Sequence, residues 1–252
     1  EVKEARKADN SIKAVNIEEE KNAIGTIFTT DVISFIFKNL NEIGNDGILV
    51  TNGKYKIPSA KSAIISFSEF LNRAFANDLD VGPNEFKTGQ QNKRVNGFET
   101  MQIFIADTLE NGAGYVRIFN DKRKLSIAIE DFYNSVTGNS DDSVNWDDTQ
   151  KDHINCDSSC QDCLRSYNNR MIHNSLDWRL ALDLAEISLG KTLNVDRWFS
   201  YGETIANTFF NMFKNLKKYD LKMEKFGNFH VVKSNKRIII LNHPLYSVTE
   251  GF

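Results

Sequence analysis

The chain has 252 residues, 40% of them hydrophobic and 26% charged, with a formal net charge of −3. This hydrophobic content excludes a fully disordered chain and predicts a buried core. The negative balance excludes a uniformly basic nucleic-acid binder, because phosphate affinity comes mainly from Lys and Arg, although a local basic patch stays open. The sequence contains no run of about 18 apolar residues and no secretory signal pattern, so we expect no membrane span.

The sequence of residues 1–77 predicts an arm, a strand and a helix. Residues 1–22 are charged and weakly patterned, and we expect a linker or a frayed arm there. Alternating β-branched and aromatic residues over 24–37 predict one long strand, or two strands joined near Asp31. Apolar residues at helical spacing over 60–77 predict a buried helix, for which Ser59 is the expected N-cap.

The middle of the chain predicts a strand followed by helices. Polar residues over 78–96 predict a loop with a short strand near 85–87, and 100–106 predicts a strong strand. Two helical segments are expected between 115 and 136. We expect an α+β fold of mixed helices and a short sheet.

A glycine-rich turn follows the predicted strand, at Asn111, Gly112, Ala113 and Gly114. Its backbone amides could hold a phosphate, as helix N-termini do. The spacing does not match the dinucleotide-binding fingerprint. We therefore favour a tight strand-to-helix turn whose amides are bonded by Asp107.

Two further helices and a hairpin are predicted towards the C-terminus. The first helix covers 176–189, with Ser175 as N-cap and Gly190 just past its end. The second covers 201–218, and a hairpin of two strands is expected over 229–241.

All three cysteines of the chain, Cys156, Cys160 and Cys163, lie within eight residues. Structural zinc sites use four thiolate or imidazole ligands in a tetrahedron, so this spacing predicts a zinc site whose fourth ligand is His153 or His173. The alternatives are a redox pair, a disulfide beside a free thiol, or unligated thiols. A redox pair normally follows a strand, whereas the segment before these cysteines is polar and lacks a strand pattern. Clustered reduced cysteines favour a cytoplasmic location.

Arginines and aromatic residues surround the cysteines, a combination suited to single-stranded nucleic acid through phosphate pairing and base stacking. The candidate contacts are Arg165, Tyr167, Arg170 and Arg179. The alternative is that Tyr167 and Trp178 pack against the metal site, while the arginines stay solvated or pair with Asp177 and Asp183.

No catalytic site is predicted from the sequence. We find no Ser/His/Asp arrangement and no paired catalytic carboxylates, and four protein ligands would leave zinc no open position for water. An independent nuclease is disfavoured because 226–242 lacks the clustered carboxylates on adjacent strands that it would need.

These residues resemble the Mrf-type zinc-binding domain, formerly a domain of unknown function. That domain lies near the C-terminus of bacterial superfamily 2 helicases of the DEAD/DEAH type, and in proteins of DISARM-like phage-defence systems. The resemblance covers about 23–190. The matching residues are Cys156, Cys160, Cys163, Leu164, Arg165, Ser166, Tyr167, Asn169, His173, Leu176, Asp177, Trp178, Arg179 and Ala181, with Thr30, Asp31, Val32, Ile105, Ala106, Asp107, Gly112, Gly114 and Tyr115 upstream.

The resemblance implies three regions of an α+β fold, with mixed helices and a short sheet around a structural zinc loop. They are a linker or arm over 1–22, a helicase-associated zinc-binding domain over 23–190, and a helical and hairpin extension over 191–252. It favours His173 as the fourth ligand. In many members the cluster begins Cys-x-Cys. Here Ile154 occupies the position of the first of those two cysteines, and His153 beside it is a possible substitute.

The resemblance also implies a function. It indicates the accessory region of a DNA helicase or translocase, or of its partner subunit, acting in DNA repair or phage defence and contacting the motor and DNA. ATP would be hydrolysed elsewhere, because the chain has neither a Walker A lysine nor an Asp-Glu-x-His box. A chain that starts at Glu1 suggests a fragment. The alternative from another class is a protein-interaction scaffold that uses zinc only for folding.

Overall fold

The computed structural model describes residues 2–6, 12–16, 29–36, 50–51, 54–55, 58–95, 98–138, 143–216 and 220–245. The strands are β1 (Val2–Arg6), β2 (Ile12–Asn16), β3 (Val32–Ile36), β4 (Val50–Thr51), β5 (Lys54–Tyr55), β6 (Phe86–Val95), β7 (Phe98–Asp107), β8 (Lys222–Phe226), β9 (Phe229–Lys233) and β10 (Ile238–Ile240). The helices are α1 (Pro58–Leu79), α2 (Tyr115–Ile118), α3 (Lys122–Thr137), α4 (Trp178–Ser188) and α5 (Asp196–Phe213), with 3-10 turns at Pro83–Glu85 and Arg170–Ser175. The fold is α+β, as expected from the sequence.

The main sheet is antiparallel and has the order β3-β7-β6. Its central strand, β7, places Ile103 and Ile105 in the core with no exposed surface. Strand β6 extends to Val95, well beyond the short strand predicted at 85–87. Pairing with β7 along ten residues explains this difference, because the ladder satisfies the backbone of a polar strand that lies at the sheet edge.

Helix α1 is the central element of the core, and most of its length is buried. Phe70 lies edge-on to Phe132 of α3, with ring centroids 5.0 Å apart, and Phe75 stacks on Phe119 at 3.8 Å. Burying a phenylalanine side chain contributes about 1.5–3 kcal/mol. The helix predicted over 60–77 is confirmed, but it begins at Pro58, a residue favoured in the first helical turn, so Ser59 lies inside the helix and is not its N-cap.

Two N-terminal predictions have different outcomes. Within 1–22, where an arm or linker is expected, β1 and β2 form an antiparallel hairpin from Val2↔Asn16 to Arg6↔Ile12. This pairing is local in sequence, and an isolated two-stranded hairpin is only marginally stable in water. Of the strand predicted over 24–37, residues 32–36 are strand, and 24–28 and 37 lie outside the described residues.

The C-terminal helices lie close to their predicted positions, with different caps and bounds. Asp177, rather than Ser175, caps α4, because its carboxylate accepts a hydrogen bond from Arg179 N at 2.8 Å. Gly190 follows the helix with φ +69°, as a glycine past a helix end does. Helix α5 starts at Asp196, five residues before the predicted start at 201.

Within the C-terminal extension predicted over 191–252, the described residues pack α5 against a second antiparallel sheet of order β10-β9-β8. Strand β8 is absent from the sequence prediction, since Lys222–Phe226 is a charged strand with little apolar alternation. The extension docks on α4 through Arg197, which lies 2.8 Å from Asp183 Oδ1 and 2.6 Å from Glu186 Oε1. All three side chains are buried.

Among the described residues, no helix combines the length and apolar character needed to cross a membrane.

Candidate metal centre

The metal loop, defined here as residues 143–177, connects α3 to α4 and has almost no regular structure. It is held at its start by Trp146, whose backbone N donates to Val136 O of α3 at 2.7 Å. The Trp146 ring packs edge-on to Phe70 and Phe132, and is almost fully buried. One aromatic side chain thus connects the loop to the core before the first metal-binding candidate, His153.

Four side chains of the loop converge on one point. His153, Cys156, Cys160 and Cys163 present ligand atoms that all lie within 4.8 Å of one another. Cys163 Sγ lies 3.8 Å from Cys156 Sγ and 3.7 Å from Cys160 Sγ. A tetrahedral zinc ion with bonds of about 2.3 Å to sulfur requires sulfurs about 3.8 Å apart, so this spacing fits zinc.

Backbone hydrogen bonds orient the ligands. His153 Nδ1 lies 3.1 Å from Trp146 O, so this nitrogen carries the proton and leaves Nε2, 3.2 Å from Cys160 Sγ, free to bind a metal. Metal-binding histidines commonly donate their other ring N–H in this way. Cys160 N donates to Cys163 Sγ at 3.0 Å, which stabilises negative charge on that sulfur.

The pKa shifts in the cluster show why a cation suits it. The pKa of Cys163 is lowered to about 4 by a hydrogen bond from the Cys156 thiol, against the effect of burial and with further help from His153. The pKa of Cys156 is raised by that same hydrogen bond and by burial, and that of Cys160 by burial and by the charge on Cys163. Negative charge therefore gathers on Cys163, and a dication among the sulfurs would stabilise all three as thiolates.

The structure does not bring His173 to the sulfurs. Its Nε2 lies 3.0 Å from Ser166 O and 2.9 Å from Asn169 Oδ1, in the 3-10 turn after the cluster. The preference for His173 as fourth ligand is therefore corrected in favour of the alternative, His153. The physical reason is that His173 already bonds the polar turn that it helps to form.

Helix α4 is attached to the metal loop at its first turn. Trp178 N donates to Ser158 O at 2.9 Å, and the Trp178 ring lies edge-on to the His153 ring at 5.4 Å. Arg179 Nη1 donates to Asp157 O at 2.6 Å. The loop and the helix therefore form one unit, in which the metal ligands lie directly against the core.

The four candidate nucleic-acid contacts fall into two groups. Arg179 is buried and lies between the rings of Trp178 (4.5 Å) and Tyr201 (4.0 Å), and Arg165 is half-buried with its Nε donating to Ser159 Oγ at 2.9 Å. Tyr167 is 78% exposed, and the exposed Arg170 lies over its ring at 4.5 Å. The alternative of packing against the metal site thus holds for Trp178 and not for Tyr167.

The glycine-rich turn has the structure favoured from the sequence. The Asp107 carboxylate is fully buried and accepts hydrogen bonds from the backbone N of Ala113 (2.9 Å), Tyr115 (3.1 Å) and Val116 (3.1 Å). A side chain on Gly112 would clash with the Asp31 carboxylate. The amides that could have held a phosphate are thus occupied by a carboxylate of the chain itself.

Sequence reasoning missed the buried polar residues around the site. Glu69 and Asn72 lie one helical turn apart on α1 and are mostly buried, and Arg73 follows them. The signal that could have identified them is the spacing of these polar residues at i, i+3 and i+4, which places all three on one face of a largely buried helix.

Comparison with known proteins gives one partial similarity. No protein-family model matches the chain, and no solved structure matches it. Over 170 residues the chain is 25% identical to the Druantia protein DruE of Escherichia coli (strain UMEA 4076-1). The matched region is 66% of this chain and 8% of that protein, so the chain spans less than a tenth of the length of this relative.

Proposed function

We propose that this chain is the C-terminal accessory region of a DNA helicase or translocase, or of a partner subunit of one, acting in phage defence or DNA repair. The region braces the motor and contacts DNA in the cytoplasm, and ATP is hydrolysed by another part of the assembly. The resemblance of the metal loop to the Mrf-type domain and the similarity to DruE support this proposal.

The metal in this proposal is a structural zinc ion held by His153, Cys156, Cys160 and Cys163. The observation that carries it is the approach of three sulfurs and one imidazole nitrogen to tetrahedral spacing. Four protein ligands close the coordination shell, so zinc stabilises the fold here and leaves no position for a reacting water. The ion would hold the loop that begins α4, because Ser158 and Asp157 bond that helix.

Elemental analysis of the freshly purified chain tests the metal. We expect one zinc ion per chain, and chelator should lower the melting temperature, since metal binding and folding are coupled. Zinc affinity should fall as the pH falls, because protons compete for the thiolates and the imidazole. Metal-free protein that melts cooperatively, with no change on adding zinc, would contradict a structural site.

The DNA contact is assigned to the exposed pair of Tyr167 and Arg170. An arginine beside an exposed aromatic ring suits a single strand, through phosphate pairing and base stacking. Arg170→Ala should weaken binding to single-stranded DNA and reduce the salt dependence by about 0.7 in log–log slope per lost phosphate contact. Arg123→Ala, an exposed arginine of α3, is the matched control. Equal losses in both variants would indicate nonspecific attraction only.

A second candidate is a protein-interaction scaffold that uses zinc only for folding. The C-terminal extension favours it, because Phe226, Ile238 and Ile240 are 79%, 60% and 59% exposed. Strand β10 lies at the edge of its sheet, where another chain could add a strand. Nuclease-treated pull-downs separate the candidates. Recovery of a helicase subunit by a chain with no affinity for DNA favours the scaffold.

A further inference from the structure

The sheet of the C-terminal extension has two edge strands, β8 and β10, which differ in how well they are protected. In β8, three of the five residues are charged. In β10, all three residues are isoleucines, and Ile238, Ile239 and Ile240 are 60%, 41% and 59% exposed. Charged side chains on an edge strand oppose pairing with another chain, so β10 is the edge at which a further strand can be added.

Two hydrogen bonds determine which residues of β10 and its ends face β9. Ser234 N donates to Arg237 O at 2.8 Å, and beyond the other end Leu241 N donates to His230 O at 3.2 Å. In an antiparallel pair, residues that exchange backbone hydrogen bonds alternate with residues that do not. Ile239 lies midway between Arg237 and Leu241, so all three direct their backbone N–H and C=O groups at β9.

Ile238 and Ile240 consequently direct their backbone groups at the open side of β10. Among the residues that the structure describes, these two N–H and two C=O groups have no hydrogen-bond partner. An incoming extended backbone can bond all four of them. The exposed side chains of Ile238 and Ile240 lie on one face of the sheet, so they suit an added strand that is apolar at alternate positions.

The charges at the start of β10 indicate which kind of segment fits. Lys236 and Arg237 are exposed, and neither has an ion pair within the described part of the chain. Lys233 of β9 is paired with Glu224 of β8 at 3.9 Å. Glu224 and Asp220 belong to β8 and the residues just before it, two strands away from β10. A segment with carboxylates beside Lys236 and Arg237 would therefore complement these charges.

A second copy of this chain fits the edge less well. Antiparallel pairing of β10 with its own copy about Ile239 would place Ile238 opposite Ile240, which suits the backbone. The same pairing places Leu241 opposite Arg237 and brings no carboxylate to it. Three exposed residues also supply only part of the roughly 800 Å² per partner that a stable dimer buries.

We propose that β10 takes up one extended segment of a partner protein as a fourth strand of this sheet. The segment bonds the outward backbone groups of Ile238 and Ile240 and carries carboxylates beside Lys236 and Arg237. A DNA strand does not fit this edge, because its backbone has no N–H donors for the two outward C=O groups. The inference rests on the contact with a partner protein that both candidate functions above include, and it assigns that contact a surface and a partner chemistry.

The test is fluorescence anisotropy with the full, zinc-loaded chain and short labelled peptides. The acidic peptide alternates valine and threonine and ends in two aspartates. A second version begins with the aspartates, because an added strand can run in either direction. One control peptide has lysines in place of the aspartates. Another keeps the aspartates and is N-methylated on every backbone nitrogen, which removes the N–H donors and keeps the charge.

Ile240→Pro separates strand addition from other kinds of binding. It removes an outward N–H of the edge and no hydrogen bond to β9, so the sheet should persist. Lys225→Pro is the matched control on the opposite edge. His230 bonds towards β10, so Lys225, which lies opposite His230 on β8, also directs its backbone outwards.

A second pair of variants tests the charges without touching the backbone. Lys236→Ala combined with Arg237→Ala removes the two cations at the start of β10. Lys122→Ala combined with Arg123→Ala removes an adjacent and exposed Lys-Arg pair of α3, so it is the matched control.

We expect the acidic peptide to bind, the lysine peptide to bind more weakly and the N-methylated peptide not to bind. Ile240→Pro should weaken binding of the acidic peptide about tenfold, and Lys225→Pro should leave it unchanged. The double variant at Lys236 and Arg237 should weaken this binding about fivefold, because two exposed ion pairs are lost, and should remove the preference over the lysine peptide. Equal melting temperatures of the two proline variants would show that unfolding is not the cause. If Ile240→Pro fails to fold, the double variant and the N-methylated peptide still decide.

Several results would overturn the proposal in different ways. Equal binding of the acidic and N-methylated peptides would exclude strand addition, and no binding of any peptide would exclude the surface. A dimer of the original chain in sedimentation, abolished by Ile240→Pro, would assign the edge to a second copy. Displacement of the acidic peptide by single-stranded DNA as effective as by unlabelled peptide would assign the cations to nucleic acid. Equal recovery of a helicase subunit by the original chain and by Ile240→Pro would leave the proposed function in place without this surface.

Discussion

Helix α4 is held by two regions that use different chemistry. On one side, the metal loop bonds its first turn through Ser158 O and Asp157 O, and four ligands of that loop meet at one point. On the other side, the C-terminal extension places Arg197 between the buried carboxylates of Asp183 and Glu186. The same helix is thus joined to a loop without regular structure and to an extension built of helix and sheet.

This difference in chemistry indicates how the attachment of each region to α4 can be disrupted. The metal loop carries few buried apolar side chains of its own, so we expect its order to depend on the proposed ion, which can be removed. The extension depends on charges that are fixed by the sequence and buried away from water, where breaking a pair is costly because a charge remains without a partner. Chelation should therefore weaken the attachment of α4 to the metal loop. Single substitutions of the buried charges should weaken its attachment to the C-terminal extension.

The largest expected effect comes from Cys163→Ser. Cys163 is fully buried and lies within 3.8 Å of both other sulfurs, so its loss opens the coordination shell. Structural zinc contributes on the order of 10 kcal/mol, comparable with the whole stability of a domain. We expect loss of bound zinc and of a cooperative unfolding transition, measured by elemental analysis and circular dichroism. Gln161→Ala, an exposed change in the same loop, should keep both.

The next largest effect is expected from Arg197→Leu in the extension. The change leaves Asp183 and Glu186 buried without their guanidinium, and breaking such a pair costs about 3–5 kcal/mol. Denaturant unfolding measures the loss. Lys191→Leu is the matched control, because Lys191 pairs with Glu130 at the surface at 3.7 Å and should cost less than about 1 kcal/mol. Similar losses in both variants would show that the buried cluster is no stronger than a surface pair.

Substituting His153 and His173 separately tests which of them is the fourth metal ligand. His153→Ala removes a ligand atom, so zinc affinity should fall by more than the roughly 10–100-fold typical of losing an outer-shell partner. His173→Ala removes bonds to Ser166 O and Asn169 Oδ1 and should leave zinc affinity within about tenfold. Competition with a chelating dye measures both. The opposite order would restore His173 as the ligand.

The smallest effect is expected at the cap of α4, where the metal loop joins the helix. Asp177→Ala should cost about 1 kcal/mol through the lost cap, whereas Asp177→Asn keeps an acceptor. Burial raises the pKa of Asp177 to about 6 from 3.8, so its ionisation is opposed in the folded state. Its contribution to stability is complete below about pH 3.8 and is lost as the pH rises to about 6. The Asp177→Asn variant should lack this decline, which unfolding at several pH values tests.

Much of the fold follows from local patterns in the sequence. Apolar spacing predicts α1 and β7, and the bonding of the loop amides by Asp107 follows from an aspartate just before glycines. These predictions succeed because spacing and turn chemistry act over a few residues. The sequence predicts only the start of the polar strand β6 and does not predict the charged strand β8, because partner strands, rather than their own side chains, determine them.

The candidate site was predicted in part. The cysteine spacing alone indicates three ligands that meet in space, since a tight turn brings Cys160 and Cys163 together. The choice between His153 and His173 depends on how the loop turns around Trp146, which spacing does not reveal. Arg197 pairs with Asp183 and Glu186, which lie 14 and 11 residues earlier in the chain on another helix, so the spacing within one helix does not reveal these pairs.

The position of Arg73 has an electrical consequence for the choice of metal. Burial lowers the pKa of Arg73, and the charges of Cys163, Glu69 and Cys160 oppose this effect, while its Nη2 donates to Arg165 O at 3.0 Å. A dication bound by these three sulfurs as thiolates, as proposed above, would leave one negative charge, which the Arg73 guanidinium would partly offset. Divalent cobalt preserves the neutrality of the pair and absorbs visible light when bound to thiolates, so it can replace zinc as a coloured reporter of the intact site. A monovalent ion would leave an uncompensated negative charge inside the core.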